Sequence, residues 1–390
     1  MLEGNLLNRD DLLELTVLRR DLHRHPELLY DLPRTSGKVA DELSAIGCDE
    51  IRREFGETGV VATIRGSKGG GRMIGLRADM DALPISETTG AEWQSERQGL
   101  MHACGHDGHT STLLGAARVL ARHRDFEGTV VLIFQPAEEG GAGAKRMIDD
   151  GFLDAFPLNE VYGMHNLPGL DVGSFAITAG PAMASIDSIS VTLKGRGGHA
   201  ASPHLCDDVI VAMGALVQGL QTIVARRKEA IRPALLSLTS LSGGNAFNVM
   251  PEAVTVVGTS RCLDEGVRGL IEQRLRLMAE SVAAAHEIAA EVVYERLYPV
   301  TVNELACTAN AVRAASAVSG QGRVNAELPP TMAGEDFAFF LQHVPGAMIR
   351  SGNGPSKPLH NPGYDFNDAA LEPGIAFWNA LVADRLGGNA

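Results

Sequence analysis

Met101-His102-Ala103-Cys104-Gly105-His106-Asp107-Gly108-His109-Thr110 packs three histidines, a cysteine and an aspartate into ten residues, then opens an apolar helix pattern over Thr112 to Leu120. Cys104 and His106 stand two apart, a spacing that on an extended or turning segment aims both side chains the same way, and Gly105 and Gly108 leave room for close approach. A metal site is the first hypothesis for such a density of metal-capable side chains. The plainer reading is a helix start with histidines near its first turn.

Outward from this stretch, Thr129 to Phe134 reads as a continuous apolar strand and Val161 to Met164 as another. Strands and helices therefore alternate as in an α/β sheet buried on both faces. Upstream, Asp10–Arg24 and Ser36–Ile46 read as helices, the second ended by Gly47. Gly59 to Arg65 and Arg72 to Ala78 read as strands, joined as a hairpin by Gly66-Ser67-Lys68-Gly69-Gly70-Gly71. That run is not a phosphate loop, since no G-K-[ST] follows and it opens no helix. Polar clusters follow three of the strands: Asp79-Met80-Asp81, Gln135-Pro136-Ala137-Glu138-Glu139 and His165-Asn166. In open α/β sheets ligands bind outside the carboxyl ends of strands.

From about Ser188 the pattern becomes strand Ser188–Lys194, helix Asp207–Arg226, strands Leu235–Leu241 and Ala253–Arg261, helix Glu265–His286 and strand Glu291–Leu297. That β-α-β-β-α-β order predicts a ferredoxin-like α+β domain over 188–297, inserted between 1–187 and 298–390 of the α/β domain. Helices return at Glu304–Val318, Gly334–Gln342 and Ala369–Arg385. The loop Leu359-His360-Asn361-Pro362-Gly363-Tyr364-Asp365-Phe366 carries one well-placed histidine.

Composition narrows the function classes. The 390 residues carry a net charge of −14, which argues against nucleic acid or an anionic membrane as partner. Apolar residues make up 45%, no apolar run approaches the ~18 residues of a membrane span, and Met1-Leu2-Glu3-Gly4-Asn5 shows no signal-peptide pattern. Five scattered cysteines, Cys48, Cys104, Cys206, Cys262 and Cys307, argue for a reducing compartment. A cytoplasmic protein is expected.

The strand-end and loop candidates are Cys104, His106, Glu138, Glu139, His165 and His360, with Asp79, Asp81 and Asp107 behind them. One tetrahedral catalytic zinc takes three protein ligands, so this set is too large for one ion. Two ions ~3.5 to 4 Å apart that share a bridging ligand fit it better. Glu138 and Glu139, adjacent at a strand end and expected to point apart, suit one ligand and one base. An acidic turn before Gly140-Gly141 is the bland alternative.

These residues carry a resemblance. The chain resembles, nearly end to end, the co-catalytic dinuclear metallo-aminoacylase and carboxypeptidase family, in its hippurate hydrolase and indole-acetyl-amino-acid hydrolase branch. The matching motifs are Leu22-His23-Arg24-His25-Pro26-Glu27, Leu76–Pro84, His102–His109, Pro136–Gly140, Gly163–Asn166, Gly195-Arg196-Gly197-Gly198-His199-Ala200, Asn248-Val249-Met250-Pro251 and the His360 loop. The resemblance implies that Cys104 bridges two divalent ions, with His106 and His165 on one and Glu139 and His360 on the other. It makes Glu138 the general base, and the inserted domain a lid and dimerisation domain. It also makes His199 a holder of the substrate carbonyl, acting within its own chain or in the partner subunit.

Asn248 and Arg261 are candidates for the substrate carboxylate, since an amide and a guanidinium fork suit a planar anion. Asp79, Asp81 and Asp107 suit the task of accepting the free N–H of ligand imidazoles. Thiolate softness favours Zn²⁺, with Mn²⁺ or Co²⁺ as alternatives. The expected activity is hydrolysis of N-acyl or N-aroyl amino acids by a homodimer or homotetramer. The rivals are a carboxypeptidase or dipeptidase on the same scaffold, a Cys104–His106 nucleophile, and a binding protein without turnover.

Overall fold

The computed structural model describes residues 7–387; the opening residues read above for a signal-peptide pattern lie outside them. The chain forms two compact units: Met1–Gly180 with Val302–Pro329 and Asp336–Ala390, and Pro181–Thr301 with Pro330–Glu335. The second unit thus runs past the expected 188–297 at both ends. Its first long strand starts at Ile186 and pairs with Tyr298, and Ala184 N–H donates to Ala333 O, which draws the 330–335 segment into it.

The first unit is built on an eight-stranded sheet in the order Glu50–Arg52, Val60–Arg65, Thr129–Gln135, Met73–Asp79, Glu160–Leu167, Gly346–Gly352, Phe175–Ala176, Val324–Asn325. The four strands Thr129–Gln135, Met73–Asp79, Glu160–Leu167 and Gly346–Gly352 are mutually parallel, so their carboxyl ends share one edge. Both faces are covered. Val130, Leu132 and Phe134 pack with helices Arg9–Arg24, His106–Arg122 and Leu371–Leu386, while Val131 and Ile133 are buried on the opposite side. That is why the strands read as apolar runs rather than as alternation.

Local sequence sets the helix ends. Asn8 and Asp11 form a reciprocal capping box at the start of Arg9–Arg24, and Gly47, at φ 84°, closes Pro33–Ile46. The expected hairpin through the 66–71 glycines does not form. Strand Thr129–Gln135 lies between the two, antiparallel to Val60–Arg65 and parallel to Met73–Asp79. The glycine run is a crossover tied to it by Gly66 N–H to Gly128 O and Gly128 N–H to Gly69 O. The helix expected over 334–342 shrinks to Ala338–Leu341.

In the second unit four antiparallel strands run in the order Ala234–Ser242, Ala253–Cys262, Ile186–Lys194, Ala289–Tyr298, backed by helices Val209–Arg226 and Glu265–Ala285. This is the ferredoxin-like order. Against the sequence reading, Val209–Arg226 is long and apolar enough to span a membrane by length and composition, with mean hydropathy 1.5. Its Val209, Ala212, Met213, Leu216, Leu220 and Ile223 are buried in the core of its own unit.

Candidate metal centre

The carboxyl edge of the parallel strands gathers the site. The helix behind the opening motif starts at His106 rather than Thr112, because Gly105 adopts φ 88° and turns the chain directly into it. A Cβ at Gly105 would stand 2.5 Å from Asn166 Nδ2 and from the Tyr364 hydroxyl, so that turn admits glycine alone. His165 and Asn166 lie inside strand Glu160–Leu167 rather than beyond it.

Imidazole Nε2 atoms point inward while main-chain carbonyls hold Nδ1. His106 Nδ1 donates to Asp81 O at 2.8 Å, and His165 Nδ1 to Asn166 O at 2.8 Å. His165 Nε2 lies 3.3 Å from Cys104 Sγ, and His360 Nε2 lies 3.1 Å from Glu139 Oε1. Ligand-capable atoms of Cys104, His106 and His165 all fall within 4.8 Å of one another, as do those of Cys104, Glu139 and His360. Cys104 is common to both groups.

Glu138 and Glu139 do not point apart as expected. Their N–H groups both donate to the Asp81 carboxylate, at 3.0 Å each, in a turn with Ala137 at φ 55° and Gly140 at φ 92°. In an extended strand neighbouring N–H groups face opposite ways. Here they face one acceptor, and both carboxylates come within 4.8 Å of His106.

The residues fit a cation. His106 Nε2 is buried without a hydrogen-bond partner. Burial pushes the Cys104 thiol up, and burial, with His109 and Arg350, holds His165 well below the usual imidazole range. Hydrogen bonds with Cys104 and then Glu139 raise His360 to about 10. Burial works against the Glu139 charge, but His360, His106 and Cys104 together outweigh it and the carboxyl is lowered. Sulfur, imidazole and carboxylate donors converging at one strand edge suit divalent ions that would ionise the thiol and satisfy the orphaned nitrogen.

Of the three aspartates, Asp81 lies beside a candidate-ligand imidazole as expected, its Oδ1 3.4 Å from His106 Nδ1, while Asp79 and Asp107 accept from other histidines. Asp79 accepts from His109 Nδ1 at 2.6 Å and from Arg77 at 2.6 Å. Asp81 also accepts the two glutamate N–H groups. Asp107 accepts from His23 Nδ1 at 2.8 Å beside Arg19. Each carboxylate steadies the segments that carry the candidate ligands. Asp79, His106 and His109 also lie within 4.8 Å of one another. His109 Nε2, however, accepts Asn166 N–H at 3.0 Å, so both its ring nitrogens are taken by hydrogen bonds.

His199, Asn248 and Arg261 belong to the second unit. His199 and Asn248 are neighbours on a two-stranded ribbon, Val249 pairing with His199 and Ala200 N–H donating to Asn248 O, and both are exposed. Arg261 is half-buried on strand Ala253–Cys262, and that burial lowers its pKa. Sequence reasoning missed Arg19, His23, Arg77 and Tyr364. Tyr364 stands four residues after His360, and His23 lies in a motif quoted for the resemblance.

Residues 75–384 match the Peptidase family M20/M25/M40 model, and the chain belongs to that family of metal-binding hydrolases. It is 39% identical to an N-acetyl-L-cysteine deacetylase of Bacillus subtilis over 95% of this chain and 88% of that one. It is 38% identical to a hippurate hydrolase of Campylobacter jejuni, over 96% and 97% respectively. A crystal structure of a dinuclear metal-binding peptidase of the M20 family from Bacillus subtilis superposes with a TM-score of 0.86 at 32% identity, covering 97% of this chain and 99% of that one.

Proposed function

We propose that the chain hydrolyses the amide bond of N-acyl or N-aroyl amino acids, hippurate-like compounds foremost, releasing a carboxylic acid and a free amino acid. The observation that carries this reading is the convergence of Cys104, His106, Glu139, His165 and His360 beside a second carboxylate, Glu138. The similarity to the deacetylase and the hippurate hydrolase supports the substrate class. Cys104 would be shared by two ions, His106 and His165 completing one site and Glu139 and His360 the other, with Zn²⁺ the ion best suited to a thiolate. Two such ions supply Lewis acidity, neutralising charge on the developing oxyanion and acidifying the attacking water.

Glu138 takes the proton of that water and returns it to the leaving nitrogen, while Asp81 fixes the main chain beneath it. His199 donates to the oxyanion, and Asn248 and Arg261 receive the substrate carboxylate. The chain works in the cytoplasm, a reading to which five free cysteines lend support, and as a homo-oligomer. The test is amine release from N-benzoyl, N-acetyl and indole-acetyl amino acids and from dipeptides, before and after chelation. Cleavage of acylated substrates that is lost with chelator and restored by a divalent ion is expected. Cleavage of dipeptides alone would overturn the substrate class, and full turnover in metal-free protein would overturn the mechanism.

A further inference from the structure

Asn166 is fully buried, and each of its polar atoms is engaged by a segment that carries a candidate ligand or supports one. Its side-chain Nδ2 donates to Cys104 O at 2.6 Å and lies 3.0 Å from His109 Nε2. Its Oδ1 accepts from the Tyr364 hydroxyl at 2.9 Å. Its carbonyl accepts from His165 Nδ1, and its N–H donates to His109. Through His109 the set continues to Asp79, Arg77 and Asp336, all buried. One side chain thus touches the turn of Cys104, the strand of His165 and, through Tyr364, the loop of His360.

The three segments are not equally secure. His106 and His165 are buried, with Nδ1 fixed by main-chain carbonyls. The His360 side chain is 52% exposed, and its backbone takes φ 63°, a left-handed conformation that non-glycine residues rarely adopt. Its N–H donates to Ala103 O at 2.8 Å, and Tyr364, completely buried four residues on, anchors the loop. We propose that Asn166 and Tyr364 are positioning residues, a clasp that sets the distance from Cys104 to His360: its Tyr364 end tunes the Glu139–His360 half of the centre separately from the His106–His165 half, whereas its Asn166 end bears on Cys104, common to both. The inference rests on the two-ion reading above.

The test is calorimetric titration of metal-stripped protein with Zn²⁺, with no substrate present. Tyr364→Phe removes one hydroxyl and should leave the tighter event in place while weakening the looser one about five- to tenfold, the size of one hydrogen bond. Asn166→Asp keeps the acceptor for Tyr364 but loses the donors to Cys104 O and His109, so both events should weaken. A merely structural hydroxyl would lower thermal stability and leave the ratio of the two affinities unchanged. That unchanged ratio in Tyr364→Phe, or unchanged events in Asn166→Asp, overturns the clasp. A single binding event in the wild-type chain overturns the two-ion reading itself, and the clasp with it.

Discussion

Two neighbouring glutamates whose main-chain N–H groups share one aspartate offer the sharpest division of labour at the residue scale. Glu138→Gln keeps the shape and removes the base, so metal content should stay normal while kcat falls ~10²- to 10⁴-fold. Glu139→Gln should instead lose metal, measured by elemental analysis of dialysed protein; the reverse pattern would exchange the two roles. His23 supplies a second residue-scale effect. Burial opposes its charge, but Asp107 and Glu87 on its two ring nitrogens outweigh burial and raise it to about 9. Its folded pKa lies above the ordinary 6.5, so its contribution to stability is complete below ~6.5 and drains away as pH rises through about 9. Denaturant midpoints should fall across that window, and the fall should be shallower in His23→Gln. A slope equal in both chains would mean that His23 titrates alike folded and unfolded.

Helix His106–Arg122 and the loop after His360 test close packing at the scale of elements. A Cβ at Gly108 would stand 2.3 Å from the Phe366 ring, so Gly108→Ala should cost on the order of 1 to 3 kcal/mol by overpacking. In a Phe366→Ala background the methyl gains room, and the same change should become neutral or favourable, since alanine is the better helix former. An equal cost in both backgrounds, by chemical denaturation, would separate the two residues. These contacts also explain what the sequence could and could not tell. Strand and helix periods were legible because core faces repeat locally, as in Val130, Leu132 and Phe134. Strand order was not: nothing in the glycines of 66–71 announces that Thr129–Gln135 will lie between the flanking strands. The candidate ligands were legible as histidine, cysteine and glutamate at strand ends. Their supports were not, because Asn166 and Tyr364 are ordinary core polar residues until folding brings them 2.9 Å apart across 198 positions of chain.

For the whole molecule, strand Ala234–Ser242 is the open edge of its four-stranded sheet and carries no charged residue. Ile210 and Val211, exposed on the neighbouring helix, add apolar surface, whereas solitary proteins usually guard such edges with charge. The homo-oligomer proposed above would account for both features by pairing there. Leu241→Lys should shift the sedimenting species toward the monomer, and an unchanged oligomer would place the interface elsewhere. The closing of Tyr364 and Phe366 over the Gly105–Gly108 turn has a consequence for biosynthesis. Tyr364 follows Gly108 by 256 positions. At about 5 to 20 residues per second, the ribosome leaves that turn uncovered for roughly 10 to 50 s. For that interval the Cys104 thiol has neither its lid nor the His360 imidazole beside it, so a nascent chain stalled before Tyr364 should be the form most open to alkylation and oxidation.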